Sequence, residues 1–482
     1  MSNEAHDTVF ERYPPTASVI EHALAGSRQA VFWLDELGAP PERPALTRTR
    51  TADLAIVGGG FTGLWTALRA KQRDPDRRVV LLEAKRIGWA QSGRNGGFVE
   101  ASITHGEENG RSRWPTEYPQ LARLGMDNLD AMERTVTELG LDVQWERTGE
   151  LDVATEEHQL GWLSGIRPSE AGGTDPDVVL WDRDEVQSQV HSPSYLGGMW
   201  RRHEVALVHP GRLARELARA AEEAGVEIFE HTPVRRIEGE ADGVELVTDA
   251  GRLRAHRVAL GTSVYPSLLW RNRLMTVPVY DYVLMTEPLD AAQLASIGWE
   301  GRQGIGDLAN QFHYSRRTAD DRILFGGYDA IYHYGGRVRA RYEDRPQSFA
   351  RLASHFFTLY PQLEGLRFSH RWAGAIDTST RFCAYFGTAR GGRVAYAAGF
   401  TGLGVGATRF AADTMLDLLE GEPTERTELE MVRSRPVPFP PEPAASAGIA
   451  ATRWSMDRAD HREGRRNMLL RTLDALGLGF DS

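Results

Sequence analysis

Three things are scarce in this chain, and each shortage removes a class of function. There is one cysteine in 482 residues, Cys383. That excludes an intrachain disulfide framework and a cysteine-rich metal site, and it suits a reducing compartment. Only two of the 56 basic residues are lysines, Lys71 and Lys85, so chemistry that needs an amine elsewhere in the chain has none to use. Apolar runs are short: none reaches the roughly 18 residues of a membrane span. The N-terminal stretch MSNEAHDTVFERYPP also lacks the basic and then apolar order of a secretory signal. The expectation is a cytoplasmic protein with no membrane partner. A formal charge of −11 argues against nucleic acid as a partner.

Glycine, by contrast, is plentiful at 49 residues, and its placement carries the argument. Leu54 to Val57 is an apolar run of the length of a buried parallel strand, and Gly58, Gly60 and Gly63 follow in a G-x-G-x-x-G pattern. The first glycine makes a tight turn, the second admits a pyrophosphate to the backbone, and the third lets helix and strand pack closely. A helix over roughly Thr62 to Gln72 then aims its free N–H groups at the phosphates. A second apolar run, Val79 to Leu82, ends on Glu83, 20 residues past Gly63. A carboxylate there accepts hydrogen bonds from an adenosine ribose and disfavours a 2′-phosphate. The unit predicts a dinucleotide site that takes in Phe61, Thr62, Ala84 and Lys85, and it leaves FAD and NAD both open.

Just downstream, Ser92, Gly93, Arg94, Asn95, Gly96 and Gly97 form a dense polar and glycine-rich loop. It reads as a second backbone surface along a pyrophosphate and a flavin ring. The pair GGGFTG and SGRNGG resembles the D-amino-acid-oxidase-like (DAO) family of FAD-dependent oxidoreductases, in its gamma-glutamylputrescine oxidoreductase-like branch.

That resemblance implies an α/β fold, α+β overall, in which a Rossmann-type FAD-binding domain, discontinuous in sequence, sits beside an antiparallel-sheet substrate domain. The expected layout is an arm over 1–50, the FAD-binding domain from 51–105, 200–264 and 371–430, and the substrate domain from 106–199 and 265–370. A proline-rich connector and a helical arm fill 431–482, and the arm docks either on the enzyme itself or on a second subunit of a homodimer. Helical patterns cover Leu121 to Leu139, Glu156 to Leu163 and the stretch after His209. Strand-like pieces cover Val226 to Phe229, Val234 to Ile237, Val244 to Val247 and Arg257 to Leu260. In the family, Val234, Gly261 and Thr262 form a third FAD contact. Gly399, Thr401, Gly402, Leu403 and Gly404 lead into a helix from about Ala407 that covers the pyrimidine side of the flavin.

The resemblance further implies oxidation of a C–N bond of a small amine to an imine by hydride transfer to flavin N5. Hydrolysis follows, and the electrons pass to O2 or another acceptor. FAD is expected to be noncovalent, because Cys383 lies too close to the last glycine motif to match the family's attachment cysteine and no histidine lies between Glu83 and Gly97. The mechanism compels no catalytic residue type. His105, Tyr282, Tyr328, Trp372 and Asp377 are pocket candidates, although such tyrosines read equally as packing on a sheet face. Relatives that oxidise α-amino acids place an arginine after the tryptophan-glycine element, where this chain has Trp372, Ala373, Gly374 and Ala375. An amine with an ammonium held by Asp377 or Asp281 is therefore favoured. Arg316 and Arg317 keep an α-amino acid open, and a tailoring oxidation in biosynthesis is a further alternative.

Overall fold

A computed structural model describes residues 5–165, 177–239 and 242–478. The run RTADLAIV forms strand β1 (Arg50–Val57), helix α1 (Phe61–Arg73) leads away from it, and β2 (Val79–Leu82) returns parallel to it. All four residues of β2 are buried, as expected where helices cover both faces of a parallel sheet. His209 caps helix α2 (Pro210–Glu223) by accepting from the Arg212 N–H, and the buried face Leu213, Leu217 and Ala221 packs it beside α1. The chain then enters β3 (Glu227–Phe229), parallel to β2.

Strand β4 (Arg252–Leu260) pairs in parallel with the whole of β1. It begins five residues before the expected Arg257, because Leu253 and Ala255 turn inward while Arg252, Arg254 and His256 stay exposed, continuing the period of two. Its early half also pairs antiparallel with Val244–Val247, and its last residues pair in parallel with the strand Val394–Ala398. The strand expected over Val234 to Ile237 is shifted to Arg236–Gly239. The helix expected over Glu156 to Leu163 is a single 3-10 turn, Glu157–Gln159, followed by Leu160–Gly165.

Among the described residues the second sheet has nine strands in a mostly antiparallel order. At its heart lie β5 (Thr276–Thr286), β6 (Ile323–Tyr332) and β7 (Phe368–Ser379). Its back face carries an aromatic core in which Phe325 of β6 meets Phe349 and Phe356 of the helix Pro346–Leu359 and Tyr360 just beyond it.

After β8 (Val394–Ala398) comes helix α3 (Gly404–Glu420), three residues earlier than expected, stopped by Gly421 with φ +84°. Helices α1 and α3 lie side by side and are joined by ion pairs. Arg69 and Arg73 reach Asp413 at 2.9 and 3.0 Å, and Arg73 reaches Asp417 at 2.8 Å. The C-terminal arm folds as α4 (Ala444–Asp460) and α5 (Met468–Ala475) and docks on its own chain. No described helix is long and apolar enough to cross a membrane.

Close packing between α1 and β1 depends on Gly63, where a Cβ would stand 1.9 Å from the Gly58 carbonyl oxygen. Gly63→Ala should destabilise the protein by about 3 kcal/mol or more. Denaturant unfolding measures the loss, and the cofactor content of the purified protein should fall with it.

Candidate active site

The carboxyl ends of the parallel strands and the front of the second sheet enclose a cavity of about 1060 Å³. At one end three segments meet backbone to backbone. Gly58 has φ +111°, and a Cβ on it would lie 2.4 Å from the Gly261 carbonyl. One on Gly60 would lie 2.8 Å from the Ser92 hydroxyl, which accepts from the Phe61 N–H at 2.9 Å. The N–H groups of Gly60 and Thr62 take no acceptor among the described residues. A helix N-terminus whose Gly60 and Thr62 donors stay open fits a pyrophosphate.

Glu83 is oriented before any ligand arrives. Its carboxylate accepts from the Gly59 and Lys85 N–H groups, each at 2.7 Å, and from the Trp89 indole at 3.0 Å. Burial raises its pKa, and these three donors oppose the rise. A carboxylate has about four acceptor positions, so capacity remains for a ribose hydroxyl. Ala84, Lys85, Val234, Thr262, Ser92 and Arg94 to Gly97 also line this cavity, whereas Gly63, Gly93 and Gly399 lie behind its wall.

At the other end, the turn from Gly399 to Gly404 is clamped from three directions. Asp377 accepts from the Gly399 N–H at 2.7 Å, the Ser379 N–H donates to the Thr401 hydroxyl at 3.1 Å, and His105 Nε2 donates to the Thr401 carbonyl at 2.9 Å. Thr401 is β-branched yet has φ +54°, a conformation that persists only where its surroundings enforce it. Burial lowers the His105 pKa, so the ring is a neutral donor. Burial also pushes Asp377 up to about 6, against the Gly399 and Phe400 N–H groups. The carboxylate of Asp377 is thus committed to the turn. The N–H groups of Gly402, Leu403 and Gly404 take no acceptor among the described residues, and all three residues line the cavity at the start of α3. These open donors suit negative charge on a bound ring system.

The wall opposite is shaped by an irregularity in the second sheet. Register between β5 and β6 shifts between Tyr280 and Tyr282, and such bulges re-aim side chains. Here Asp281 lines the cavity, accepting from the Tyr314 hydroxyl at 2.5 Å and the Gly327 N–H at 3.1 Å. Burial pushes its pKa to about 6 despite these donors. On the facing strand, within the same irregular stretch, Tyr328 has φ +61° and also lines the cavity, its ring 5.2 Å from that of His313. Tyr282 and Trp372 are elsewhere: both are buried, bonded to the carbonyls of Tyr342 and Arg94 at 2.8 Å, and neither reaches the cavity. Arg316 and Arg317 are also outside it. The first is buried with Nη1 on the Val208 carbonyl at 2.5 Å, and the second pairs with Asp321 at 2.6 Å.

Some wall residues went unread in the sequence. Trp89, which carries the Lys85 ammonium 3.9 Å from its ring centre, sits inside the same glycine-rich stretch and was legible there. Glu343, paired with Arg94 at 2.6 Å, comes from 249 residues away and carried no local signal. Glu100, half-buried, and Glu150, buried, are carboxyls on the wall, both raised by desolvation, Glu100 to about 7.

Comparison with known proteins places this geometry. Residues 53–418 match the family model "DAO: FAD dependent oxidoreductase". The chain is 28% identical over 385 residues to gamma-glutamylputrescine oxidoreductase of Escherichia coli, covering 78% of this chain and 85% of that one. It is 25% identical over 399 residues to a probable oxidoreductase OrdL of Haemophilus influenzae, covering 81% and 88%. The crystal structure of glycine oxidase from Geobacillus kaustophilus has the same fold, with a TM-score of 0.64 at 20% identity, covering 80% of this chain and 99% of that one.

Replacing Glu83 by Gln puts an amide NH2 where donors already converge. Glu83→Gln should weaken FAD binding about ten- to hundredfold, as read by titrating apoprotein with FAD and following flavin fluorescence.

Proposed function

Because the chain belongs to the DAO family of FAD-dependent oxidoreductases, we propose that it oxidises the C–N bond of a small amine to an imine, which water then hydrolyses. Bound FAD supplies the hydride acceptor, at its N5. Gly58, Gly60, Thr62 and Glu83 would hold the adenosine diphosphate half. Arg94 to Gly97 and the turn Gly402 to Gly404 would hold the ring, with the open N–H groups and the start of α3 stabilising negative charge.

The observation that carries the reading is Asp281. It is the carboxylate that the bulge aims into the cavity, and neither Arg94 nor the Arg316 and Arg317 pair is free to clamp an α-carboxylate. Arg316 and Arg317 point their charges elsewhere, Arg94 is neutralised by Glu343, and the stretch Ala373 to Asp377 that follows Trp372 holds no arginine. In this reading Asp281 holds an ammonium group of the substrate, while Tyr314 and the Gly327 N–H hold Asp281. Amine chemistry also agrees with the name of the Escherichia coli relative.

FAD is held without a covalent bond: Cys383 is buried and does not line the cavity. The electron acceptor is O2, which leaves as H2O2. Flavin that stays with denatured protein would overturn the first statement, and reduced flavin that O2 fails to reoxidise would overturn the second.

Mixed anaerobically with amines, the holoprotein should lose its oxidised-flavin absorption; a flavin that no amine bleaches sinks the proposal. Asp281→Asn should raise the apparent KM about ten- to hundredfold. Because burial raises the Asp281 pKa from 3.8 to about 6, the residue still carries its proton where an ordinary carboxyl has lost it. Amine binding should therefore strengthen as pH rises through about 6 in the parent enzyme. In the Asn variant this dependence should flatten, a difference read from KM against pH.

A further inference from the structure

The family match ends at residue 418, yet the chain beyond it helps to build the cavity. Helix α4 turns Ala445, Ile449, Thr452, Arg453 and Met456 toward the cavity at helical spacing. Helix α5 adds Leu469, Leu470 and Leu473. The arm is fastened by specific bonds. Asp460 accepts from the Asn310 N–H at 2.9 Å, the Asn310 side chain at 2.7 Å and the Gln311 N–H at 3.2 Å. Glu442 accepts from the Tyr332 hydroxyl at 2.6 Å and the Gly335 N–H at 2.8 Å. Arg113 donates to the Gly477 carbonyl. Asn310, Gln311 and Tyr328 line the same cavity, so the latch joins the arm to the wall that carries Asp281.

Within this apolar wall the charges are unequal. Among the arginines that line the cavity, Arg94 is paired with Glu343, whereas Arg339 and Arg453 meet no carboxylate among the described residues. Arg453 is half-buried, and no described group accepts from its guanidinium. The acids of its own helix are turned to other partners, Asp460 as above and Asp457 to Gln311 at 3.3 Å. A guanidinium partly withdrawn from water with its donors open is suited to a planar anion, which it binds with two parallel hydrogen bonds.

We propose that the C-terminal arm is the outer wall of the substrate vestibule and that Arg453 on it binds a carboxylate carried by the substrate away from the C–N bond that is oxidised, with Arg339 as the second open guanidinium of the wall. The inference rests on the amine reading above and narrows its substrates to amines that bear an anionic group.

The test uses the holoenzyme and two probe amines of equal length, one ending in a carboxylate and the other in the matching carboxamide. Anaerobic flavin reduction at varied probe concentration gives an apparent Kd for each. The wild-type enzyme should favour the carboxylate, and in Arg453→Ala the ratio of the two constants should move at least about tenfold toward the carboxamide. Arg453→Lys should keep much of the preference, which separates lost charge from lost packing. Flavin content and melting temperature certify that each variant is folded. An unchanged ratio in Arg453→Ala, or a ratio that moves only in Arg339→Ala, overturns the Arg453 assignment and leaves the amine reading standing. Failure of both probes and of every other amine to reduce the wild-type flavin overturns the amine reading and this inference together.

Discussion

The site depends on one constraint: at the carboxyl ends of the parallel strands, backbone must approach backbone with no side chain between. A Cβ on Gly58 would collide with the Gly261 carbonyl, and one on Gly63 with the Gly58 carbonyl. Those collisions explain why the strand ends can converge, and convergence leaves the N–H groups of Gly60 and Thr62 facing a cavity rather than a neighbour. Side chains enter afterwards. Glu83 can be oriented by three donors because Gly59 and Lys85 present their N–H groups at fixed positions on two adjacent strand ends.

The second glycine-rich turn is built on a different principle. There the strained backbone is held by a buried carboxyl, a buried imidazole and a neighbouring strand's N–H group. Thr401 at φ +54° is kept in place by bonds from His105 and Ser379, and Asp377 fastens the preceding Gly399. A buried carboxyl and a buried imidazole are costly to keep charged, which agrees with the upward shift of Asp377 and the downward shift of His105. Both residues were legible as belonging to the pocket. Their roles were not, because a sequence shows a titratable group but not which backbone group it faces.

Legibility followed locality. The βαβ unit could be read closely, apart from a first strand that begins at Arg50 rather than Leu54, since glycine spacing, helix and the terminal Glu83 all lie within one stretch of chain. The strand-to-helix turn near Gly399 was likewise readable, apart from a helix start set by Gly404 rather than Ala407. Tyr282 and Tyr328 illustrate the limit. Both alternate with apolar neighbours in aromatic strands, yet Tyr282 packs inside while Tyr328 meets the cavity, because a register shift lies between the strands that carry them. No local pattern encodes that shift. The ion pair between Arg94 and Glu343 was invisible for the same reason, its halves being far apart in the chain.

This division bears on how specificity is built here. Cofactor binding asks for backbone shape, which a short motif can fix, and the matching segment ends with the helix that completes it. Substrate binding asks for particular side chains on a wall, and those can come from any element that reaches it. In this chain the wall is closed by helices lying after that segment, latched through Asp460 and Glu442 rather than by the glycine turns. An arm so placed can change its inward residues without disturbing a strand end or an open N–H group. Chemistry at the flavin end and selection at the outer end are thus separable in the structure, and the outer end is where a charge such as Arg453 can be added at little cost to the fold.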